Sequence, residues 1–301
     1  MSERALIIGY GSIGQRHAGI LESLGCQTLI NSKHYRRANS FINLDEALAQ
    51  NPCLVAICSE TALHAEHFTQ VLQACPSAKI LIEKPLGFIP ENIAMQVHSA
   101  VGYNLRFHLQ VLALKKWLAG QQSYHASISI QRHLPTMRRN ADYTKSYSCY
   151  KSRGGGVLKD FSHDLDLALS LFGPCHRVVA HGGKIGQLHG DSDDHLALLM
   201  KCKDCPSVAI HMSYLNTKPE RKIQIVCNQG VAQVDLDANT GLIESALTGP
   251  EALHSTYVDQ WKALLFGSQA EQLCTVAQAV EVEKLIEMVG ESVEMGRWVI
   301  R

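Results

Sequence analysis

The stretch from Ala5 to Gly14 constrains the fold more than any other part of the chain. A short apolar run leads into the pattern Gly9-x-Gly11-x-x-Gly14, and residues 15–24 have the spacing of a helix. In such a strand–turn–helix unit the first glycine permits the turn, the second admits a pyrophosphate at the helix N-terminus, and the third lets helix and strand pack closely. The residues expected at a dinucleotide from this turn are Gly9, Gly11, Ser12, Ile13 and Gly14. The alternative is a glycine-rich turn without a ligand.

The segment after the second predicted strand, residues 27–31, bears on the choice of cofactor. NAD sites usually carry an acidic residue there, which accepts a hydrogen bond from the ribose 2′-OH. This chain has Asn31 and Ser32 instead, followed by Lys33, Arg36 and Arg37. Arginine binds phosphate in a forked geometry, so the segment favours NADP over NAD, with Asn31, Ser32 and Arg37 at the cofactor. The alternative is a solvated basic loop.

Length and composition restrict the class of protein. A chain of 301 residues is long enough for two domains. Its formal net charge is zero and no Lys/Arg run is present, which argues against nucleic acid as a partner. No apolar run is long enough to span a membrane, and the first strand begins too early to leave room for a signal peptide. The ten cysteines are expected to be reduced thiols of a cytoplasmic protein.

Two further buried strands are predicted at residues 54–58 and 79–82, each followed by polar residues. Ser59 and His64 follow the first of them, and Glu83-Lys84-Pro85 follows the second. Ligands of open α/β sheets bind at the carboxyl ends of the strands, so these residues are candidates for the cofactor site. Lys84 is well placed to meet a nicotinamide or a substrate, although a lysine in a surface loop is the alternative.

The second half of the chain changes to an alternating pattern. A helix over 110–118 is followed by apolar and polar alternation, which predicts strands. These strands are predicted at 126–130, 177–180, 196–201, 208–214, 222–227 and 231–236. Turn residues at 204–206, 217–219 and 228–230 predict hairpins. The fold class is therefore an α/β Rossmann domain over 1–104, followed over 105–301 by an α+β domain with a mostly antiparallel open sheet and a C-terminal helix.

A helix opened by three glycines, residues 154–156, carries the main polar candidates of this second half. On a helical wheel His163 lies opposite the apolar stripe, with Asp160 and Asp166 one turn away on either side. A histidine between carboxylates is suited to proton transfer near neutral pH. The alternatives are a surface histidine, and aspartates such as Asp164 that merely favour the positive helix N-terminus.

Taken together, the motifs resemble one family. The glycine turn, Ser59-x-Thr61-x-x-His64, Glu83-Lys84-Pro85 and residues 102–107 (GYNLRF) occur in one order, as in the GFO/IDH/MocA oxidoreductases, the family of glucose-fructose oxidoreductase and inositol dehydrogenase. The resemblance implies that Lys84 contacts the nicotinamide ribose and the reacting hydroxyl, and that Asn104 and Arg106 lie near the nicotinamide and substrate. It also implies a homodimer or homotetramer formed through the sheet of the C-terminal domain.

The chain departs from the family pattern around His163. In that pattern the histidine follows an aspartate by four positions, whereas here Lys159 occupies that position and Asp160 lies three before His163. The resemblance therefore transfers a role to His163 and not to Asp160, which remains a catalytic candidate only through its place beside the histidine. The Ser-His-Asp-x-Asp variant is similar to a branch associated with surface sugars such as nonulosonic acids. Tyr147 and Asp164 are the candidates for sugar contacts.

These observations predict an NAD(P)-dependent oxidoreductase that transfers a hydride at a hydroxyl or keto carbon of a sugar or sugar derivative, with Lys84 and His163 as the catalytic pair. A cofactor-binding sensor without turnover, or a reductase of a non-sugar carbonyl or imine, are the alternatives. No metal is expected, because Cys202-x-x-Cys205 has no second cysteine pair at the spacing of a zinc site.

Overall fold

The computed structural model describes residues 3–87, 98–137, 142–242 and 249–301. Fourteen strands occur in these residues: β1 (Arg4–Ile8), β2 (Gln27–Asn31), β3 (Ser40–Phe41), β4 (Leu54–Ile57), β5 (Lys79–Ile82), β6 (Ser99–Val101), β7 (Ser123–His133), β8 (Cys175–Gly183), β9 (His195–Cys202), β10 (Val208–Ser213), β11 (Leu215–Cys227), β12 (Gly230–Asp235), β13 (Cys274–Thr275) and β14 (Val299–Ile300).

Nine α-helices occur in the same described ranges: α1 (Ser12–Ser23), α2 (Leu44–Leu48), α3 (His64–Ala74), α4 (Leu109–Leu118), α5 (Leu134–Met137), α6 (Val157–Asp160), α7 (Ser162–Phe172), α8 (Gly249–Phe266) and α9 (Val276–Met295). Short 3₁₀ turns lie at Thr61–Leu63, Asn104–Phe107, Tyr143–Lys145, Tyr147–Cys149, Lys151–Arg153 and Ala270–Gln272. In the part of the chain that is described, no helix has the length and apolar character needed to cross a bilayer.

The chain divides into two compact units. One consists of Met1–Asn104 and Ser255–Glu283, and the other of Leu105–His254 and Lys284–Arg301. The sequence predicts that everything after residue 104 lies in the second domain, whereas Ser255–Glu283 belongs with the first unit. The amphipathic pattern of a helix indicates that one of its faces is buried, but it does not indicate which unit buries it.

The first unit is built on a seven-stranded sheet of order β13-β6-β5-β4-β1-β2-β3. All its pairs are parallel except β13 with β6. Its inner strands β1, β4 and β5 are apolar runs that are almost entirely buried, as parallel sheets require. Ile8 pairs with both Asn31 and Ile57, and Ile57 pairs with Ile82. The segments that follow β1, β2, β4 and β5 therefore leave the sheet at one edge, where a ligand is expected.

The second unit contains a seven-stranded sheet of order β12-β11-β7-β10-β9-β8-β14, antiparallel except for the β7–β10 pair. The predicted hairpin turns at 204–206 and 228–230 join β9 to β10 and β11 to β12. The turn predicted at 217–219 is wrong, because β11 continues through these residues. A register shift against β7 between Leu215 and Glu220 accommodates Pro219 without ending the strand.

Candidate active site

The glycine turn separates into positions that packing requires and one that it does not. Gly9 has φ +91°, and a Cβ there would lie 2.6 Å from the carbonyl oxygen of Cys58. A Cβ on Gly14 would overlap the carbonyl oxygen of Gly9. A Cβ on Gly11 would meet no atom of the described residues within 4 Å. Packing therefore explains the first and third glycines, whereas the second keeps the backbone accessible.

The N-terminus of α1 has the properties of an anion site. Its N-cap is Gly11, and no side chain among the described residues caps the first turn, which also contains no acidic residue. The backbone N–H groups of that turn and the positive end of the helix dipole are the features that bind a phosphate. With Gly11 accessible beside them, this turn fits the pyrophosphate of a dinucleotide, and Ser12 and Ile13 lie at that end of the helix.

The loop after β2 places two arginines beside the carboxyl end of the sheet. Asn31 donates its amide to the carbonyl oxygens of Phe41 (3.3 Å) and Ile42 (3.1 Å). The Arg36 guanidinium donates to the carbonyls of its own loop, including that of Ser32 at 3.2 Å. Arg37 is exposed, with its guanidinium 5.8 Å from the ring centroid of Tyr35. The lining of a cavity of about 620 Å³ includes Arg36, Arg37, Ser40 and Glu46.

His64 lies inside the first unit. Its side chain is 1% exposed, and its two ring nitrogens face the carbonyls of Ser59 (3.1 Å) and Pro85 (3.1 Å). Burial lowers the pKa of this ring, although the carbonyls partly oppose the shift. The ring therefore connects the segment after β4 to the segment after β5. The Ser59 hydroxyl faces Nδ1 of His67 at 2.9 Å.

Glu83 is held by contacts on both carboxylate oxygens. Its Oε1 accepts a hydrogen bond from His17 Nε2 at 2.8 Å, and its Oε2 accepts one from the Lys84 backbone N–H at 3.2 Å. Burial raises the pKa of Glu83, but the hydrogen bond from His17 and the charge of Lys84 outweigh burial and hold this pKa below its ordinary value. The carboxylate is therefore ionised, and the half-buried Lys84 follows it directly.

Three side chains of α8 contact this part of the first unit. Trp261 donates its indole N–H to His17 Nδ1 at 2.8 Å. Gln260 donates to the carbonyl of Val101 at 3.2 Å, and the Asn104 amide donates to the Thr256 hydroxyl at 2.5 Å. All three α8 residues are buried. Sequence reasoning missed them, although two polar residues and a tryptophan at 256, 260 and 261 share one helical face, which is the available signal.

In the second unit the glycine-rich segment forms two helices rather than one. α6 ends at Asp160, Phe161 has φ −99° and ψ 23°, and α7 begins at Ser162. The helical wheel that placed Asp160 one turn from His163 is therefore wrong. Phe161 packs edge-on against Tyr214, with ring centroids 5.2 Å apart, and this contact lies at the interruption. His163 is half-buried in the first turn of α7.

The Asp160 carboxylate binds hydroxyl groups. It accepts hydrogen bonds from Tyr147 and Ser148 at 2.7 Å each, and a further one from Tyr214. Burial, together with the negative charge of Asp160, raises the pKa of Tyr214 well above its ordinary value, so that hydroxyl keeps its proton. Asp160 thus ties the 3₁₀ turn at Tyr147–Cys149 to the end of α6, and Tyr147 is one of the residues that it ties.

Two buried ion pairs hold α7. Arg106 binds Asp166 in a forked geometry, with Nη2 to Oδ1 at 2.6 Å and Nε to Oδ2 at 2.9 Å, and both residues are nearly inaccessible. Arg221 binds Asp164 at 3.1 Å. Burial raises the pKa of Asp164, against the opposing effect of Arg221 and Arg132. Arg106 and Asp164, expected at the substrate, are thus components of the interior of the second unit.

No group of three or more metal-ligating side chains suited to a metal ion occurs among the residues that the structure describes. The cysteines of this part of the chain are free thiols.

The family comparisons agree with this architecture. Residues 4–110 match the model of an oxidoreductase family with an NAD-binding Rossmann fold, which defines the chain as a member of a dinucleotide-dependent oxidoreductase class. Residues 124–233 match the GFO/IDH/MocA C-terminal domain. The chain belongs to the GFO/IDH/MocA oxidoreductase family. A search of curated protein sequences gives no match.

Solved structures share the fold over the full chain. The chain is similar to a myo-inositol dehydrogenase from Corynebacterium glutamicum, with 16% identity, TM-score 0.78, and coverage of 100% of this chain and 99% of that one. For the WlbA dehydrogenase from Bordetella pertussis, in complex with NADH and UDP-GlcNAcA, the values are 18%, 0.77, 100% and 98%. For the UDP-N-acetylglucosamine 3-dehydrogenase GnnA from Acidithiobacillus ferrooxidans they are 22%, 0.77, 98% and 99%.

Proposed function

We propose that the chain is an NAD(P)-dependent dehydrogenase that acts on a hydroxyl-bearing carbon of a sugar derivative. The observation that carries the proposal is the register of the first sheet. The accessible glycine turn after β1 and the Glu83–Lys84 segment after β5 leave the sheet at the same edge. Membership of an oxidoreductase family supports the same conclusion.

The dinucleotide would be held by the first unit. Its pyrophosphate would bind the backbone N–H groups at Gly11, Ser12 and Ile13, where packing leaves the chain accessible. When bound, the dinucleotide supplies the hydride acceptor or donor. The residues of the chain have to orient the substrate and move its hydroxyl proton.

Lys84 and His163 divide this work. Lys84 would donate a hydrogen bond to the reacting oxygen and stabilise the negative charge that develops there. His163 would take the hydroxyl proton during oxidation and return it during reduction. Asp160, Arg106 and Asp164 act indirectly in this scheme, because their side chains bind other parts of the second unit. Asn104 is fixed by Thr256 at the end of the first unit and would lie near the nicotinamide.

The substrate class rests on two supports. The Ser-His-Asp-x-Asp variant is similar to a branch associated with surface sugars, and two of the structural relatives are named for, or bound to, UDP-linked amino sugars or their acids. We therefore expect a nucleotide-linked sugar rather than a free polyol. Tyr147 would contribute its ring to the sugar site while its hydroxyl binds Asp160.

The test is an absorbance screen at 340 nm over polyols, aldoses and nucleotide sugars, with Lys84→Met and His163→Asn as variants. Lys203→Met and His176→Asn are matched controls, since both of these residues are exposed in the second unit. We expect turnover by the wild type and both controls, and a loss of about 100-fold or more in kcat for the Lys84 and His163 variants. Equal turnover by all five proteins contradicts the mechanism. Binding of NADH without turnover identifies a sensor instead.

We further propose that the cofactor is NADP. Support comes from Arg36 and Arg37, which line the cavity beside the end of β2, and from Asn31, which occupies the position where an acidic residue would repel a 2′-phosphate. The test compares NADPH and NADH by fluorescence titration. We expect Arg37→Ser to raise the Kd of NADPH about tenfold and to leave that of NADH within about twofold. Equal affinity of the wild type for both cofactors contradicts the preference.

We propose self-association through the outer face of the second sheet. Along β9 the side chains of Ala197, Leu199 and Lys201 are exposed on one face of the sheet. Leu199 is 40% exposed, and Val231 on β12 is 58% exposed. Analytical ultracentrifugation tests this. We expect a dimer or tetramer for the wild type and dissociation for Leu199→Glu. A monomeric wild type at micromolar concentration would end the proposal.

A further inference from the structure

In the first unit, the buried side chains of Trp261, His17 and Glu83 form a hydrogen-bond network that ends next to Lys84. His17 on α1 is fully buried, with Nε2 2.8 Å from Glu83 Oε1 and Nδ1 2.8 Å from the Trp261 indole nitrogen. Tyr257 packs edge-on against the same imidazole, with ring centroids 5.8 Å apart. The network thus links α8 to the Glu83–Lys84 segment through His17, which lies on α1, the helix that begins at the glycine turn.

The chemistry of the indole fixes the direction of hydrogen-bond donation in this network. An indole N–H can only donate, so Nδ1 of His17 must be the acceptor. The imidazole proton is then on Nε2, where it donates to the Glu83 carboxylate. A proton on Nδ1 would face the indole N–H, so the geometry fits the Nε2–H tautomer. Trp261 therefore determines which hydrogen bond Glu83 receives.

Glu83 is confined on its other sides as well. Its Oε2 accepts the backbone N–H of Lys84, and a Cβ on Gly102 would lie 2.9 Å from Oε1. The carboxylate therefore fills the space between Gly102 and the Lys84 backbone, and it anchors that backbone. Removal of the hydrogen bond from His17 would release one of the two oxygens that fix this anchor.

We propose that Trp261 and His17 are positioning residues that act on Lys84 through Glu83. The inference rests on the proposed function, in which Lys84 contacts the reacting oxygen. The hydrogen-bond network holds the backbone from which the Lys84 side chain extends. The pyrophosphate site at Gly11 does not depend on this network. Loss of the network should therefore lower kcat and leave cofactor affinity almost unchanged.

The test uses variants of the full-length protein that separate hydrogen bonding from packing. His17→Gln keeps one acceptor for Trp261 and one donor for Glu83, whereas His17→Leu fills the space without either. Trp261→Phe removes the donor and leaves a smaller ring in the same buried position, and Trp298→Phe, at a tryptophan that is 38% exposed in the second unit, is the control. The readouts are the Kd of NADH, kcat and KM for the substrate found in the screen, and the Lys84 amide signal in protein labelled with ¹⁵N-lysine, assigned with Lys84→Met.

We expect kcat to fall by about 10- to 100-fold in His17→Leu and to be restored to within about threefold of wild type in His17→Gln, with the Kd of NADH within about threefold throughout. The Lys84 amide signal should shift and lose protection from exchange in His17→Leu and Trp261→Phe, but not in the control. An unchanged Lys84 amide in those two variants overturns the inference, as does a His17→Gln as impaired as His17→Leu.

Failure of the proposed function has a different signature, because it concerns the wild type: no turnover of any sugar, or no binding of either NADPH or NADH. The Lys84 amide signal then still decides whether the hydrogen-bond network positions Lys84. If His17→Leu does not fold, Trp261→Phe gives the same readout with a smaller change in polarity.

Discussion

Alanine at two glycines of the same turn should have different effects. Gly11 has φ −75° and ψ −168°, which any residue adopts, and its Cβ would meet no described atom within 4 Å. The Cβ of an alanine at position 14 would overlap the Gly9 carbonyl oxygen and lie 3.3 Å from Ile7 Cγ2. The first substitution should therefore affect the ligand alone, and the second should affect the fold.

The magnitudes follow from the two environments. Overpacking against backbone at Gly14 costs about 3 kcal/mol, and the helical preference of alanine over glycine returns about 1 kcal/mol, which leaves a net loss of about 2 kcal/mol in the free energy of unfolding. At Gly11 alanine caps a helix less well than glycine, but it restricts the unfolded chain, so the two effects offset each other to within about 0.5 kcal/mol.

Urea unfolding measures the free energies, and NADH fluorescence measures binding. We expect Gly11→Ala to unfold like the wild type but to weaken NADH binding by tenfold or more, which is about 1.4 kcal/mol, because its methyl group occupies the approach of the pyrophosphate. Two results would refute the reasoning. Wild-type affinity in Gly11→Ala would remove the pyrophosphate from this position. A loss of about 2 kcal/mol there would show that Gly11 is also packed.

Three further outcomes follow from buried contacts. Arg106→Met should lower the free energy of unfolding in urea by about 3–5 kcal/mol, because it removes one member of a buried, forked ion pair, and a loss below about 1 kcal/mol would contradict the buried ion pair. Tyr214→Phe should cost about 1.5–3 kcal/mol through the lost hydrogen bond to Asp160, measured in the same way, and a neutral effect would count against it. The pKa of Glu83 is lowered, so this carboxylate contributes stability that is complete above its ordinary value of 4.5 and is lost as the pH falls through the lowered pKa. Urea unfolding from pH 6 to pH 3 should show a shallower decline for Glu83→Gln, and parallel curves would contradict the shift.

Local patterns predicted most of the architecture. Most strands of both sheets came from apolar runs and alternation, and two hairpins came from their turn residues, whereas the two-residue strands β3, β13 and β14 were not predicted. The first part of β11, residues 215–221, escaped this treatment because Pro219, a strong turn signal, lies at a register shift inside the strand. The interrupted helix before His163 escaped it too, because the hydroxyl groups around Asp160 and the packing of Phe161 come from elements that a helical wheel does not contain.

The contacts behind the candidate site depend on residues far apart in the chain. His17 and Glu83 are 66 positions apart, and His17 and Trp261 are 244 apart. Periodicity marks each of these residues as facing the interior, but it does not state which partner each one meets. The motif Glu83-Lys84-Pro85 could therefore be found from sequence. The hydrogen-bond network that supports it required the structure, in which the second part of α8 belongs to the first unit.

One helix serves two parts of the proposed dinucleotide site. The N-terminus of α1 would face the pyrophosphate, and His17 lies five residues further, about 7.5 Å along the axis, behind Glu83. Any displacement of α1 must therefore disturb cofactor binding and the anchoring of Lys84 together. Gly14→Ala, which forces α1 away from Gly9, should lower kcat as well as NADH affinity, whereas Gly11→Ala should change affinity alone. The difference between the two variants at saturating cofactor measures how much of the reactivity of Lys84 depends on the position of that helix.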